Sequence, residues 1–159
     1  MIEKRFHLKI FFFLLTSCCL QLGAVNEKDD FVYDLSLATQ GISVSQYNTG
    51  VNYSIGRGIE KDVEKAVSCG LEIFGENRVQ EAKLKFEEIK DKNKKIKLHL
   101  TGPLQTNKVS TALRLFDVFH TLDREKLLKE LVKYPDKLDK KSFFIQVNIG
   151  NENTKSGIK

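Results

Sequence analysis

The chain has 159 residues, 41% hydrophobic and 30% charged, which is enough apolar material for one domain with a core and excludes a disordered chain. Its net charge of +5 comes from 26 Lys and Arg mixed with 21 Asp and Glu along the same stretches, as in EKDVEK and KLKFEEIKDKNKK. That is a solvated surface, and it excludes the one-signed basic stripe of a nucleic-acid binder.

In chain order, residues 1–24 come first. MIEKRFHLK is basic and IFFFLLT is a short apolar run, the n- and h-regions of a secretory leader. The run is too short to span a bilayer. Leu15-Thr16-Ser17-Cys18 resembles a bacterial lipobox, in which Cys18 would carry a lipid; the competing reading is a buried N-terminal helix or strand. Cys18, Cys19 and Cys69 form no CxxC pair and no disulfide framework, and Cys69 reads as a small buried side chain. His7, His99 and His120 are too scattered to suggest a metal site. Residues 25–58 carry turn formers (NEKDD, TQG, YNTG, GRG) and little periodicity, and are expected to form short strands or to pack poorly.

From residue 59 the pattern is regular. Ile59, Val63, Ala66 and Val67 share one helical face, and Gly70 ends that helix. Leu71–Phe74 is an expected strand and Gly75-Glu76-Asn77 a turn. Val79, Ala82, Phe86 and Ile89 make a second amphipathic stripe. Ile96–Thr101 reads as a strand, the stretch around Val109, Ala112 and Leu113 as a helix, and Phe116–Thr121 as a strand. Asp123 is placed to cap a helix carrying Leu127, Leu128, Leu131 and Val132. Ser142–Ile149 is the last expected strand. The order αβαβαβαβ implies parallel strands with helical crossovers, which both a doubly wound sheet and an eight-stranded barrel satisfy. In both, ligands gather at the carboxyl ends of the strands, and the polar turns GEN, GPLQTNK, LD and GNENTKSG all fall there.

Four segments together, FGENRVQEA (74–82), HLTGPLQTNKV (99–109), FHTLDREKLLKEL (119–131) and IQVNIGNENTKSGI (145–158), resemble the pyridoxal phosphate homeostasis protein family, whose barrel is shared with the N-terminal domain of alanine racemase. The resemblance covers residues 59–159. It implies an α/β fold, a partial (β/α)8 barrel, and a cytoplasmic protein that binds pyridoxal 5′-phosphate and buffers it without turning over a substrate, with no catalytic residue and no metal. In such a family the cofactor is a Schiff base on a lysine at the end of the first strand. A desolvated barrel mouth favours the neutral amine that attacks the aldehyde. By family position, Asn77, His99, Gly102, Gln105, Asn107, Gln146, Asn148 and Lys155 are the implied cofactor residues, with Lys108, Ser156 and Gly157 beside them. Asn77 has a second reading as the cap of the helix that starts near Val79, Gly102 as a plain turn residue, and Lys108 as a solvated helix cation.

The chain departs from the family at two places. The Schiff-base lysine position falls on Gly56, or on Ile55 with a one-residue slip, and neither can form an aldimine. Arg57 stays protonated and cannot substitute, while Lys61 and Lys65 are expected on the following helix, pointing away. SIGRG (54–58) reads as a turn rather than as a phosphate loop, and Lys155 is the remaining candidate for aldimine chemistry. The family's phosphate-binding loops lie beyond Lys159, so an open half barrel with two uncovered edges is expected. The expected function is therefore pyridoxal phosphate binding by a truncated, impaired relative. The rivals are an exported or lipid-anchored interaction protein, held at a membrane through residues 1–18, and a gene remnant without function.

Overall fold

The computed structural model describes residues 26–150, 152, 154 and 156–158. The leader assigned to residues 1–24, with His7, Cys18 and Cys19, lies outside them, and so does Lys155.

Residues 26–58 are neither strands nor loosely packed. They form two helices, α1 (Glu27–Thr39) and α2 (Ser43–Ile55). Asn26 caps α1 by accepting from the Lys28 N–H at 3.2 Å, and Glu27, Asp29 and Asp30 place negative charge at its positive end. Periodicity could not mark these helices, because the buried face of α2 is small and polar: Ser45, Thr49, Gly50 and Asn52. A Cβ at Gly50 would lie 3.1 Å from the Cβ of Cys69 and 3.3 Å from the Ala66 carbonyl. Backbone-close packing onto the next helix, α3 (Val63–Ser68), therefore replaces aliphatic contact. Phe31 of α1 meets Tyr53 of α2 edge-on at 5.3 Å, which ties the pair together.

Asp62 starts α3, its carboxylate accepting the Lys65 N–H at 2.9 Å. Ile59 and Lys61 consequently lie in the turn before the helix rather than on it. Gly70, at φ 88°, ends the segment as expected. The strands are β1 (Ile73–Glu76), β2 (Lys97–Leu100), β3 (Val118–Leu122) and β4 (Ser142–Ile145). β1 starts two residues later than the hydrophobic run suggested, because Leu71 is buried in the core before the strand begins. Gly75 and Glu76 thus belong to the strand and not to a turn. Between the strands run α4 (Val79–Lys92), α5 (Val109–Leu115), α6 (Glu125–Leu131) and α7 (Pro135–Leu138). Asp123 does not cap α6; its carboxylate is drawn to Arg124 Nη1 at 2.6 Å, and the cap position falls on Arg124 without a side-chain bond.

All four strands are parallel, in the order β1-β2-β3-β4. Each strand lies beside its predecessor with no reversal, which is the order of a barrel segment and not of a doubly wound sheet. Helices cover one face. Leu98 and Leu100 point into it fully buried, packed with Phe74, Phe86, Phe116 and Leu127, while the alternate residues Lys97 and His99 face the other side. At the amino ends of the strands, Asp117 accepts from Lys90 Nζ and from the Leu98 N–H at 2.8 Å, with Lys141 Nζ at 3.7 Å. Burial opposes ionisation of Asp117, but Lys90 and the Leu98 N–H overcome it and hold the carboxyl below its usual value.

Candidate functional site

The carboxyl ends of the strands are tied to one another by short bonds. The Thr101 N–H donates to the Glu76 carbonyl at 3.0 Å, and the Thr101 hydroxyl donates to Asn77 Oδ1 at 2.8 Å. The Thr121 hydroxyl donates to the Gly102 carbonyl at 2.7 Å. Gly102 is required here by close approach rather than by φ: a Cβ would sit 2.3 Å from the Asn77 carbonyl oxygen. Beyond Gly102, Leu104 is 2% exposed and anchors the loop, and Arg124 Nη2 donates to its carbonyl at 2.6 Å.

After β4 the chain folds back on itself. Val147 bridges Ile158 in parallel, the Asn148 N–H donating to Ile158 O at 2.9 Å and the Ile158 N–H to Gln146 O at 2.8 Å. Gly157, at φ 134°, makes this return possible, since a Cβ there would lie 2.7 Å from the Asn148 nitrogen. Asn148 Nδ2 donates to the Glu152 carbonyl at 2.8 Å, and Gln146 Nε2 donates to Ser156 O at 3.0 Å.

These ends enclose an open cleft of about 510 Å³, lined by Thr101, Pro103, Thr121, residues 146–150, Glu152 and Ser156. Of the expected residues, Gln146 and Asn148 line it. Asn77 stands at the rim, bonded to Thr101 and not capping α4, whose cap position falls on Arg78. Gly102 is buried behind the rim. Gln105 and Asn107 are exposed on the single 3-10 turn Thr106–Lys108 and its flank, away from the lining. His99 lies one strand step below the mouth, half-buried, with its Nδ1 3.0 Å from Nε2 of His120. Burial lowers the pKa of both imidazoles below the ordinary value, and the charge of His120 lowers that of His99 further. Gly56, at φ 80°, and Ile55 sit at the end of a helix, α2, and not at a strand end.

Sequence reasoning placed residues 101–108 at the mouth of the sheet, and Thr101 lines the cleft; it missed Thr121 and His120. The two threonines occupy strand ends in HLTGP and FHTLD, and that position was the available signal. Glu152 had none. It is the one ionisable side chain of the cleft's described lining, so no cation faces this space among the described residues.

No family model matches the chain. Sequence relatives are clear. A pyridoxal phosphate homeostasis protein of Aquifex aeolicus is 39% identical over 97 residues, covering 60% of this chain and 42% of that protein. One from Buchnera aphidicola is 42% identical over 106 residues, covering 64% and 44%. The chain is a partial relative of the pyridoxal phosphate homeostasis proteins. It spans less than half the length of these relatives. Among solved structures, PipY of Synechococcus elongatus with pyridoxal phosphate bound is 33% identical with a TM-score of 0.52, covering 61% of this chain and 44% of that one. A protein of unknown function from Bifidobacterium adolescentis, 21% identical with a TM-score of 0.55 over 84% of this chain and 59% of its own, shares the fold.

Proposed function

We propose that this chain handles pyridoxal 5′-phosphate by weak, non-covalent binding at the strand-end cleft, without turning over a substrate, and does so in the cytoplasm. One observation carries the reading. Every described residue lining the cleft falls in a segment that carries the resemblance to the pyridoxal phosphate homeostasis proteins: 99–109, 119–131 or 145–158.

The residues present do not fit a covalently held cofactor. No lysine belongs to the described lining, and Gly56 and Ile55, the positions that the family resemblance implies for the Schiff-base lysine, lie at a helix end. No cationic side chain belongs to the described lining to pair a phosphate dianion. What remains is amide and hydroxyl chemistry from Gln146, Asn148 and Ser156, which can hydrogen-bond a small polar ring but supplies no ion pair.

Equilibrium dialysis against pyridoxal phosphate, followed by borohydride reduction and mass spectrometry, tests this. The expected result is saturable binding that Gln146→Ala and Asn148→Ala weaken, with no reduced adduct. A stoichiometric adduct, on Lys155 or any other lysine, overturns the non-covalent reading. Absence of saturable binding overturns the handling role itself. Incubation of the loaded protein with amino acids is expected to yield no product, and cell fractionation is expected to place the chain in the soluble cytoplasmic fraction.

A further inference from the structure

Helices α1 and α2 form a second space, a groove of about 280 Å³ whose described walls all come from residues 27–57. α1 contributes Asp30 and Asp34, and α2 contributes Asn48 and Asn52, in each case residues four apart on one helix face. Tyr33 and Val51 supply its apolar surface. Arg57, the cation of the lining, is drawn to Glu27 at 3.9 Å, which leaves Asp30 and Asp34 without a cation among the described residues. Asn48 Nδ2 donates to Asp34 Oδ1 at 3.4 Å, so the Asn48 side-chain oxygen remains as an acceptor. Asn52 is the decisive residue. It is 8% exposed, and its backbone carbonyl accepts from the Gly56 and Arg57 N–H groups at 2.8 and 3.1 Å. Its side-chain amide borders the groove and makes no hydrogen bond among the described residues, which is the exception for a buried polar group.

We propose that this groove binds a small aliphatic diammonium ion, one ammonium group on each of Asp30 and Asp34, with the Asn52 amide oxygen accepting from the ligand. The lining selects the class. Two carboxylates and two amide oxygens make it rich in acceptors, so it suits a ligand that brings several N–H donors and positive charge. Like charges four apart on a helix repel, and a dication removes that repulsion. At the rise of an α-helix, Asp30 and Asp34 are separated by about 6 Å along the axis, a span that two ammonium groups on a four-carbon chain can match.

A metal ion is the competing cation, and the donor set argues against it. Among the described residues no group of three or more carboxylate, imidazole or thiol side chains is close enough to hold one, whereas a calcium ion takes six to eight oxygen ligands. An alkylammonium ion needs fewer, and its methylene chain gains from Tyr33 and Val51, which offer a metal nothing. Both carboxylates are half-buried, so dissolved salt screens the attraction only in part.

The test is titration of the intact chain with 1,4-diaminobutane by isothermal calorimetry, with 1-aminobutane, 1,4-butanediol and CaCl₂ as comparison ligands. One site per chain is expected, weakened by added NaCl, with 1-aminobutane bound less tightly and the uncharged diol not bound. Asp30→Asn and Asp34→Asn keep the shape of the groove and should each weaken binding by about tenfold, as loss of a hydrogen bond to a charged group requires. Asn52→Leu should weaken it by about threefold, the loss of one neutral acceptor. Asp29→Asn, exposed on the same helix outside the groove, should change nothing. Circular dichroism checks that each variant is folded, and the two aspartate variants decide the matter if Asn52→Leu is not. Absence of saturable binding overturns the proposal, and so does wild-type affinity in both aspartate variants. Equal binding of 1-aminobutane or of the diol, or displacement of the diamine by an equal concentration of CaCl₂, overturns it as well. The measurement contains no pyridoxal phosphate, so its outcome is independent of the proposed cofactor role.

Discussion

Gly102→Ala tests how the strand ends are held. A Cβ at residue 102 would lie 2.3 Å from the Asn77 carbonyl oxygen and 2.9 Å from both its carbonyl carbon and its Cα. Ordinary contact begins near 3.4 Å, so the ends of β1 and β2 must separate by about 1 Å, and the obstacle is backbone rather than a side chain that could swing away. The bonds that span this gap are Thr101 N–H to Glu76 O at 3.0 Å and the Thr101 hydroxyl to Asn77 at 2.8 Å. Overpacking costs roughly 1–3 kcal/mol, and stretching one of these bonds costs about 1 kcal/mol more. The expected loss is about 2–4 kcal/mol, a fall in Tm of roughly 5–15 °C. Urea unfolding followed by circular dichroism measures it. Gly70→Ala is the control: Gly70 is at φ 88° with nothing within 4 Å of a Cβ, so only the backbone penalty of about 1 kcal/mol applies. If Gly102→Ala is no more destabilised than Gly70→Ala, the close approach of the strand ends is refuted.

Other outcomes follow from the same structure. Phe86 is 1% exposed and packs on Phe74 at 5.1 Å, so Phe86→Ala is expected to cost about 3–5 kcal/mol in urea unfolding. Leu84→Ala on the same helix, 88% exposed, should stay within about 0.5 kcal/mol of the parent. The Thr49 hydroxyl is buried without a hydrogen-bond partner, so Thr49→Val is expected to leave stability unchanged or raise it by up to about 1 kcal/mol; a loss larger than that shows the hydroxyl is partnered. Asp117 has a folded pKa below its ordinary value of 3.8, so its stabilising contribution is complete above that value and is lost as pH falls through the folded one. Unfolding curves of wild type and Asp117→Asn should therefore differ most at neutral pH and converge as pH drops below 3.8; a constant difference down to pH 2 refutes the Lys90–Asp117 assignment.

The regular half of the chain was legible because its chemistry is periodic. Val79, Ala82 and Phe86 repeat at helical spacing and are buried on one side of α4; Leu98 and Leu100 alternate with Lys97 and His99 as a one-sided strand requires. Strand limits were less legible. Burial of Leu71 and the polar return after Ile145 look the same in one dimension as strand residues do. The first two helices were not legible at all, since α2 packs through Gly50, Ser45 and Thr49, and small polar contacts leave no hydrophobic stripe. Of the expected residues, Gln146 and Asn148 line the cleft, whereas Gln105 and Asn107 of the neighbouring segment are exposed on a 3-10 turn and its flank, which the loop sequence does not reveal.

By itself the sequence determined the alternation of parallel strands and helices and the similarity to the pyridoxal phosphate homeostasis proteins. These depend on residue identity and spacing along the chain. Only the tertiary structure decided that the strands run in barrel order, that Gly56 ends a helix, and that His99 and His120 meet across two strands at 3.0 Å. Each of those depends on the distance between parts of the chain far apart in sequence, which hydrogen-bond register and packing fix and local pattern does not.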